Sequence, residues 1–184
     1  MALTYTPAAA IGGTCPDFKL PSVDGKTFAR ADFQTQAALV VMFICNHCPY
    51  VKAVEDRLVQ LAHEFQARGA AFVAICANDP IDHPEDRPGE LFTRWREKNY
   101  RFPYLIDASQ DVARAFGAVC TPDFFVYGGD QKLCYRGRLD DSWRDPSQVT
   151  RQELREALEQ ILLRKPVTGV QNPAMGCSIK WKKG

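Results

Sequence analysis

The sequence predicts an α/β fold with a mixed central β-sheet flanked by helices, an N-terminal β-hairpin extension and a C-terminal tail. Three observations predict it. Ala37–Ile44 and Ala70–Ala77 are continuous apolar runs, as strands buried on both faces require. A long amphipathic stretch joins them, so the two strands pair in parallel through a βαβ crossover. Further on, two strand-like runs flank Gly128-Gly129-Asp130, an antiparallel hairpin, and a last apolar stripe closes the domain.

Taken in order, residues 15–33 read as a strand, an Asp24-Gly25 turn and a second strand, a strong hairpin signal. After Ala37–Ile44, the apolar positions Val51, Val54, Leu58, Leu61 and Phe65 step by three and four until Gly69 stops them. That is a helix with one buried face. Residues 78–89 carry Pro80, Pro84 and Pro88 among acidic side chains and read as a loop. Glu90–Lys98 is predicted as a short helix, Tyr104–Asp107 as a short strand, and Ser109–Phe116 as a helix ended by Gly117. Asp123–Tyr127 and Lys132–Arg138 form the hairpin, and Asp140–Ser147 is loop. Leu154, Ala157, Leu158, Ile161 and Leu162 stripe the last helix. Residues 1–165 make the one domain; 166–184 are a tail packing on it or extending from it.

The totals narrow the function. The chain has 184 residues, 46% hydrophobic, with a formal charge of +1. Such a balance offers no basic field for nucleic acid or anionic lipid. The N-terminus has neither a positive region nor an adequate apolar core for a signal peptide, and the longest apolar run is too short to span a bilayer. The expectation is a soluble cytoplasmic protein without nucleic-acid or membrane partners. Seven cysteines (15, 45, 48, 76, 120, 134, 177) are irregularly spaced, unlike a secreted disulfide framework. In a reducing compartment this reads as mostly free thiols plus one working pair.

That pair is Cys45-Asn46-His47-Cys48, which closes the first apolar run and opens the long helix. The amides at a helix N-terminus favour an anion, and a thiolate is the reactive form of cysteine. Pro49 sits in the first turn, where a missing N–H costs little. In the leading reading Cys45, taken as the more exposed thiol, attacks a disulfide and Cys48 resolves the mixed disulfide. Asn46 and His47, between the cysteines, tune the reduction potential. No cofactor or metal is called for: zinc would need a second ligand pair, and none is visible. His63 and His83 read as solvated histidines.

The order strand, Cys-x-x-Cys, helix, strand, Thr121-Pro122, strand, strand, helix resembles the thioredoxin fold. The opening Cys-Pro-Asp-Phe-Lys-Leu-Pro-Ser-Val-Asp-Gly-Lys is similar to the start shared by peroxiredoxins and redoxins of the alkyl-hydroperoxide-reductase class (AhpC/TSA). With Phe-x-Cys-Asn-His-Cys-Pro-Tyr-Val-Lys, Thr-Pro-Asp-Phe-Phe and the tail Gly176-Cys-Ser-Ile-Lys-Trp181, nearly the whole chain resembles a bacterial peroxiredoxin-like thioredoxin family often labelled thiol–disulfide isomerase. The resemblance implies a thiol–disulfide oxidoreductase whose partner is another dithiol or disulfide protein. It implies a cis Pro122, with Thr121 backbone groups pairing to an extended substrate segment. Cys120 and Cys177 become candidate accessory thiols, Cys177 as a resolving or relay cysteine.

The same resemblance supplies two alternatives. In a thiol-dependent peroxidase Cys48 would be the peroxidatic residue, with Arg136 or Arg138 supplying a guanidinium. Here, though, Val41 and Cys45 stand where peroxiredoxins carry Pro and Thr. A copper-chaperone-like protein would use the two cysteines and a distant His, but its motif is one residue longer. Leu39 stands where thioredoxin places a buried carboxylate under the cysteines, leaving Asp79 or Asp107 to serve. Trp143, in a charged loop, reads as that loop's anchor.

Overall fold

The computed structural model describes residues 3–183. Its centre is a five-stranded mixed sheet in the order β6-β5-β4-β8-β9. Here β4 is Ala38–Phe43, β5 is Ala70–Cys76, β6 is Tyr104–Ile106, β8 is Asp123–Gly128 and β9 is Leu133–Gly137. The first three run parallel, β8 is antiparallel to β4, and β9 is antiparallel to β8.

β4 shows why the central strand is apolar throughout. Ala38, Val40 and Met42 face one core; Leu39, Val41 and Phe43 face the other. Successive strand residues point to opposite faces, and both faces are covered. Helix α1 (Pro49–Gln66) lays Leu58 and Phe65 into the first core, joined by Leu154 and Leu158 of α4 (Glu153–Leu162). Burying each such side chain contributes about 1.5–3 kcal/mol. The second core takes Phe116 of α3 (Asp111–Phe116), together with Phe18, Leu20 and Phe33 from around the β2–β3 hairpin (Lys19–Pro21, Thr27–Ala29). The predicted Asp24-Gly25 turn joins the two hairpin strands, with Gly25 at φ +85°.

Three features depart from the sequence expectation. Helix α2 runs Pro88–Glu97, two residues earlier than predicted, because Pro88 takes a first-turn position where its missing N–H is harmless. The rest of the loop predicted over residues 78–89 is irregular as expected up to residue 87, except that Pro84–Asp86 form one 3-10 turn. A third sheet, β1-β10-β7, was not predicted. Its strands are β1 (Leu3–Tyr5), β7 (Cys120–Thr121) and β10 (Met175–Ser178), so the tail packs back as its middle strand. Met-Gly-Cys-Ser has no strand periodicity of its own; the neighbours on either side make it one. Among the described residues no helix is long and apolar enough to cross a membrane.

Candidate active site

Cys45 lies just beyond β4, and Cys48 is the N-cap residue of α1. Facing them is the Thr121–Pro122 peptide bond, which is cis, as the resemblance implied. Cys45 Sγ is 3.3 Å from Thr121 Oγ1, and the Cys48 thiol donates to the Thr121 carbonyl at 3.1 Å. Both cysteines are buried, 1% and 0% exposed, so Cys45 is not the solvent-facing thiol that the sequence suggested. Thr121 and the loop carrying Asp86 close over it.

The two sulfurs titrate as a pair, with their pKa values driven apart. Cys48 is lowered to about 5. The Cys45 thiol donates to it, and Thr121, the Val51 N–H and the Cys177 N–H add donors that outweigh burial. Its own bond to the Thr121 carbonyl favours the thiol and works the other way. The Cys45 bond is the largest of the lowering influences, and the Val51 N–H is one of the free first-turn amides of α1 that favour an anion at the N-cap. Burial pushes Cys45 well above the ordinary thiol range, reinforced by its bond to Cys48 and the Asp86 charge. The lowered pKa therefore belongs to Cys48 and not to Cys45, the thiol that the sequence reading made the attacking one.

Asp86 is the residue sequence reasoning missed. Asp86 Oδ1 accepts the backbone N–H groups of Asn46 (2.8 Å) and His47 (3.2 Å). Asp86 Oδ2 takes His47 Nδ1 at 2.6 Å and Asn78 Nδ2 at 2.8 Å. Burial works to raise its pKa, but the bonds from His47, Asn78 and Asn46 prevail and hold it below the ordinary carboxylate value. This carboxylate holds the two residues between the cysteines in place. Asn46 is also tied by its side chain to the Glu90 carbonyl at 3.0 Å. The only signal in the sequence was a cluster of acids among prolines, with nothing to choose one over another. Neither forecast carboxylate is at the sulfurs: Asp107 caps the start of α3 through the Ala113 N–H, and Asp79 accepts from Ile81 in its own loop.

His47 reaches the sulfur it was expected to tune, with Nδ1 3.6 Å from Cys45 Sγ, but that nitrogen is committed to Asp86. Its Nε2 is buried without a hydrogen-bond partner among the described residues. His83 is not simply solvated; its ring stacks on His47 at 3.9 Å. His63 Nε2 donates to the Asn99 carbonyl, far along α1. One ligand atom each from Cys45, His47 and Asp86 lie within 4.8 Å of one another, the only group of that kind among the described residues. The His47–Asp86 separation is a hydrogen bond, shorter than two ligands of one ion would hold.

The Thr121 backbone, predicted to meet a substrate strand, is paired with the chain's own β10, Cys177 opposite Thr121. Cys120 is buried beside it, its sulfur 4.0 Å from the Pro122 carbonyl, and burial raises its pKa. Arg136 is bound to Asp123 at 2.8 Å and to the Gly117 carbonyl, and Arg138 to Glu153. Both guanidinium groups are thus paired with carboxylates. Trp143 packs on Tyr50 at 4.5 Å, which anchors its loop to the first turn of α1.

A buried dithiol at the head of the first long helix, facing a cis-proline beside a mixed sheet, defines a thioredoxin-fold redox protein. The chain belongs to the AhpC/TSA family, whose model matches residues 11–136. It is similar to an uncharacterized conserved protein from Geobacillus kaustophilus, at 43% identity, TM-score 0.95, covering 100% of this chain and 98% of that one. A hypothetical protein from Sinorhizobium meliloti is 38% identical, with TM-score 0.92 and coverage of 98% and 100%. A secreted disulfide oxidoreductase from Mycobacterium tuberculosis shares the fold at 21% identity, TM-score 0.60, covering 77% of this chain and 94% of that one. No curated protein matches the chain.

Proposed function

We propose that this chain is a thiol–disulfide oxidoreductase in which Cys45 and Cys48 cycle between dithiol and disulfide, exchanging electrons with a protein dithiol. The observation that carries this reading is the placement of the two thiols, Cys45 beside Cys48 at the α1 N-cap and both against Thr121 of the cis bond, where the Cys48 pKa is lowered to about 5. In the oxidised protein a substrate thiolate attacks Cys45 Sγ. The Cys45–Cys48 bond breaks, and its electron pair leaves on Cys48. A low-pKa thiol is the better leaving group, so the polarity of the pair directs exchange to Cys45. The second substrate thiol then attacks the substrate sulfur of the mixed disulfide. Cys45 is released and takes that thiol's proton, leaving the substrate oxidised and the pair reduced. Run backwards, the Cys48 thiolate resolves a mixed disulfide held on Cys45. Stabilising the reduced state in this way makes the pair the more oxidising. Asn46 and His47, fixed by Asp86, hold the loop that presents Cys45.

A second reading, peroxide reduction at Cys48, is favoured by the same low pKa and the Thr121 hydroxyl. Arg136 and Arg138, tied to Asp123 and Glu153, argue against it. Two reactions of the fully reduced protein separate the readings: equilibration with glutathione redox buffers and mixing with hydrogen peroxide under stopped-flow Trp fluorescence. Dithiol exchange predicts a Cys45–Cys48 disulfide in the glutathione series and a peroxide rate like that of an ordinary thiol. A peroxide rate orders of magnitude faster, abolished in Cys48→Ser, would replace the proposal with the peroxidase.

A further inference from the structure

The C-terminal strand brings a third cysteine to the site. β10 lies between β1 and β7, and its Cys177 stands opposite Thr121, the residue whose carbonyl accepts from Cys48. Cys48 and Cys177 share one buried cluster. The approach is enforced by Gly176: a Cβ there would fall 1.8 Å from the Thr121 carbonyl oxygen. Only a residue without a side chain lets β10 lie this close to the cis-proline segment. Beyond Cys177 the strand is clamped. The Lys180 N–H donates to Asn78 Oδ1, the Lys180 carbonyl accepts from the Asp79 N–H and Gln110 Nε2, and the Ile179 N–H bonds the Val119 carbonyl. Asn78 is also the residue that donates to Asp86, so strand and catalytic loop share one hydrogen-bond network.

We propose that Cys177 is a third redox thiol of this site, exchanging with the Cys45–Cys48 disulfide to form an internal Cys48–Cys177 disulfide. This rests on the dithiol reading above. In the step, Cys177 Sγ bonds to Cys48 Sγ, the sulfur it adjoins, so contact rather than leaving-group pKa directs this internal attack. The Cys45–Cys48 bond breaks with its electron pair on Cys45, and the Cys177 proton passes to Cys45. No electrons are gained or lost overall, so no outside oxidant is needed. Burial and the bond to Cys48 push the Cys177 thiol up to about 12, so it keeps its proton until Cys45 can take it. The exchange parks the oxidising equivalent on the tail strand and returns Cys45 to the thiol.

The test oxidises two proteins with diamide, quenches with acid, alkylates and maps disulfide-linked peptides by mass spectrometry. Cys45→Ser is expected to carry a Cys48–Cys177 link in most of its oxidised molecules, lost when Cys177→Ser is added. Wild type, partly oxidised, is expected to show Cys45–Cys48 together with Cys48–Cys177. Wild type needs no altered residue to fold, so its map stands even if Cys45→Ser does not. Wild type holding Cys45–Cys48 alone, or Cys45→Ser linking Cys48 to Cys120, would overturn the third-thiol role while leaving the dithiol reading intact. Wild type that forms no Cys45–Cys48 link under diamide or glutathione would overturn the dithiol reading itself.

Discussion

Replacing Asp86 with Asn tests the arrangement most directly. The carboxylate is buried, and its two oxygens accept four hydrogen bonds, two from backbone N–H groups and two from side chains. An amide keeps one accepting oxygen. If that oxygen stays on the Asn46 and His47 N–H groups, the new NH2 faces the His47 and Asn78 donors, and two bonds are lost. Hydrogen bonds to a charged group contribute about 1.5–3 kcal/mol each, so two lost bonds cost about 3–6 kcal/mol. Asp86→Asn is therefore expected to lower stability by about 3–6 kcal/mol at neutral pH. At about 2–4 °C per kcal/mol for a domain of this size, Tm falls by roughly 6–24 °C. The pH dependence supplies a second check. Because folding depresses the Asp86 pKa, its contribution is complete above the unfolded value of about 3.9 and drains away as pH falls through the lower folded value. Denaturant unfolding of wild type and variant between pH 7 and acid should show the gap closing only at the acid end. A gap under about 1 kcal/mol at pH 7, or one unchanged in acid, would show that Asp86 does not hold the site together.

Two further outcomes follow from the sulfurs and the strand beside them. The ultraviolet absorbance of thiolate in the reduced protein should rise through an inflection near pH 5, absent in Cys48→Ser; an inflection only near the ordinary thiol value of about 8.5 would remove the charge from Cys48. Since that pKa is lowered on folding, the reduced form gains stability from it in full above the unfolded thiol value and loses it as pH falls through about 5. Gly176→Ala should destabilise the protein by about 1–3 kcal/mol, the usual cost of overpacking, and should speed alkylation of Cys48 by detaching β10; alkylation at the wild-type rate would mean that β10 does not cover the sulfur.

Local pattern alone determined a great deal of this protein. The burial of β4 on both faces was legible because every residue from Ala37 to Ile44 is apolar, and the α1 stripe because Val51, Val54, Leu58, Leu61 and Phe65 keep the helical period. Cys48 at the head of α1 and Pro49 behind it were readable for the same reason: they lie within one junction of neighbouring residues. The resemblance added the cis Pro122 and the thioredoxin order. Tertiary structure decided what lies far apart in the chain. Asp86 meets Asn46 across 40 positions, and nothing within its proline-rich loop marked it out from Asp79, Asp82 or Glu85. β10 is a strand only because β1 and β7 supply its partners, so its pairing with Thr121 left no periodic trace. The polarity of the dithiol belongs to this second kind. Helix N-terminus, Thr121 and β10 converge on Cys48, while burial and the Asp86 charge press on Cys45. A hydrophobic period records which way a residue faces, whereas a pKa records everything that surrounds it, and only the folded chain assembles those surroundings.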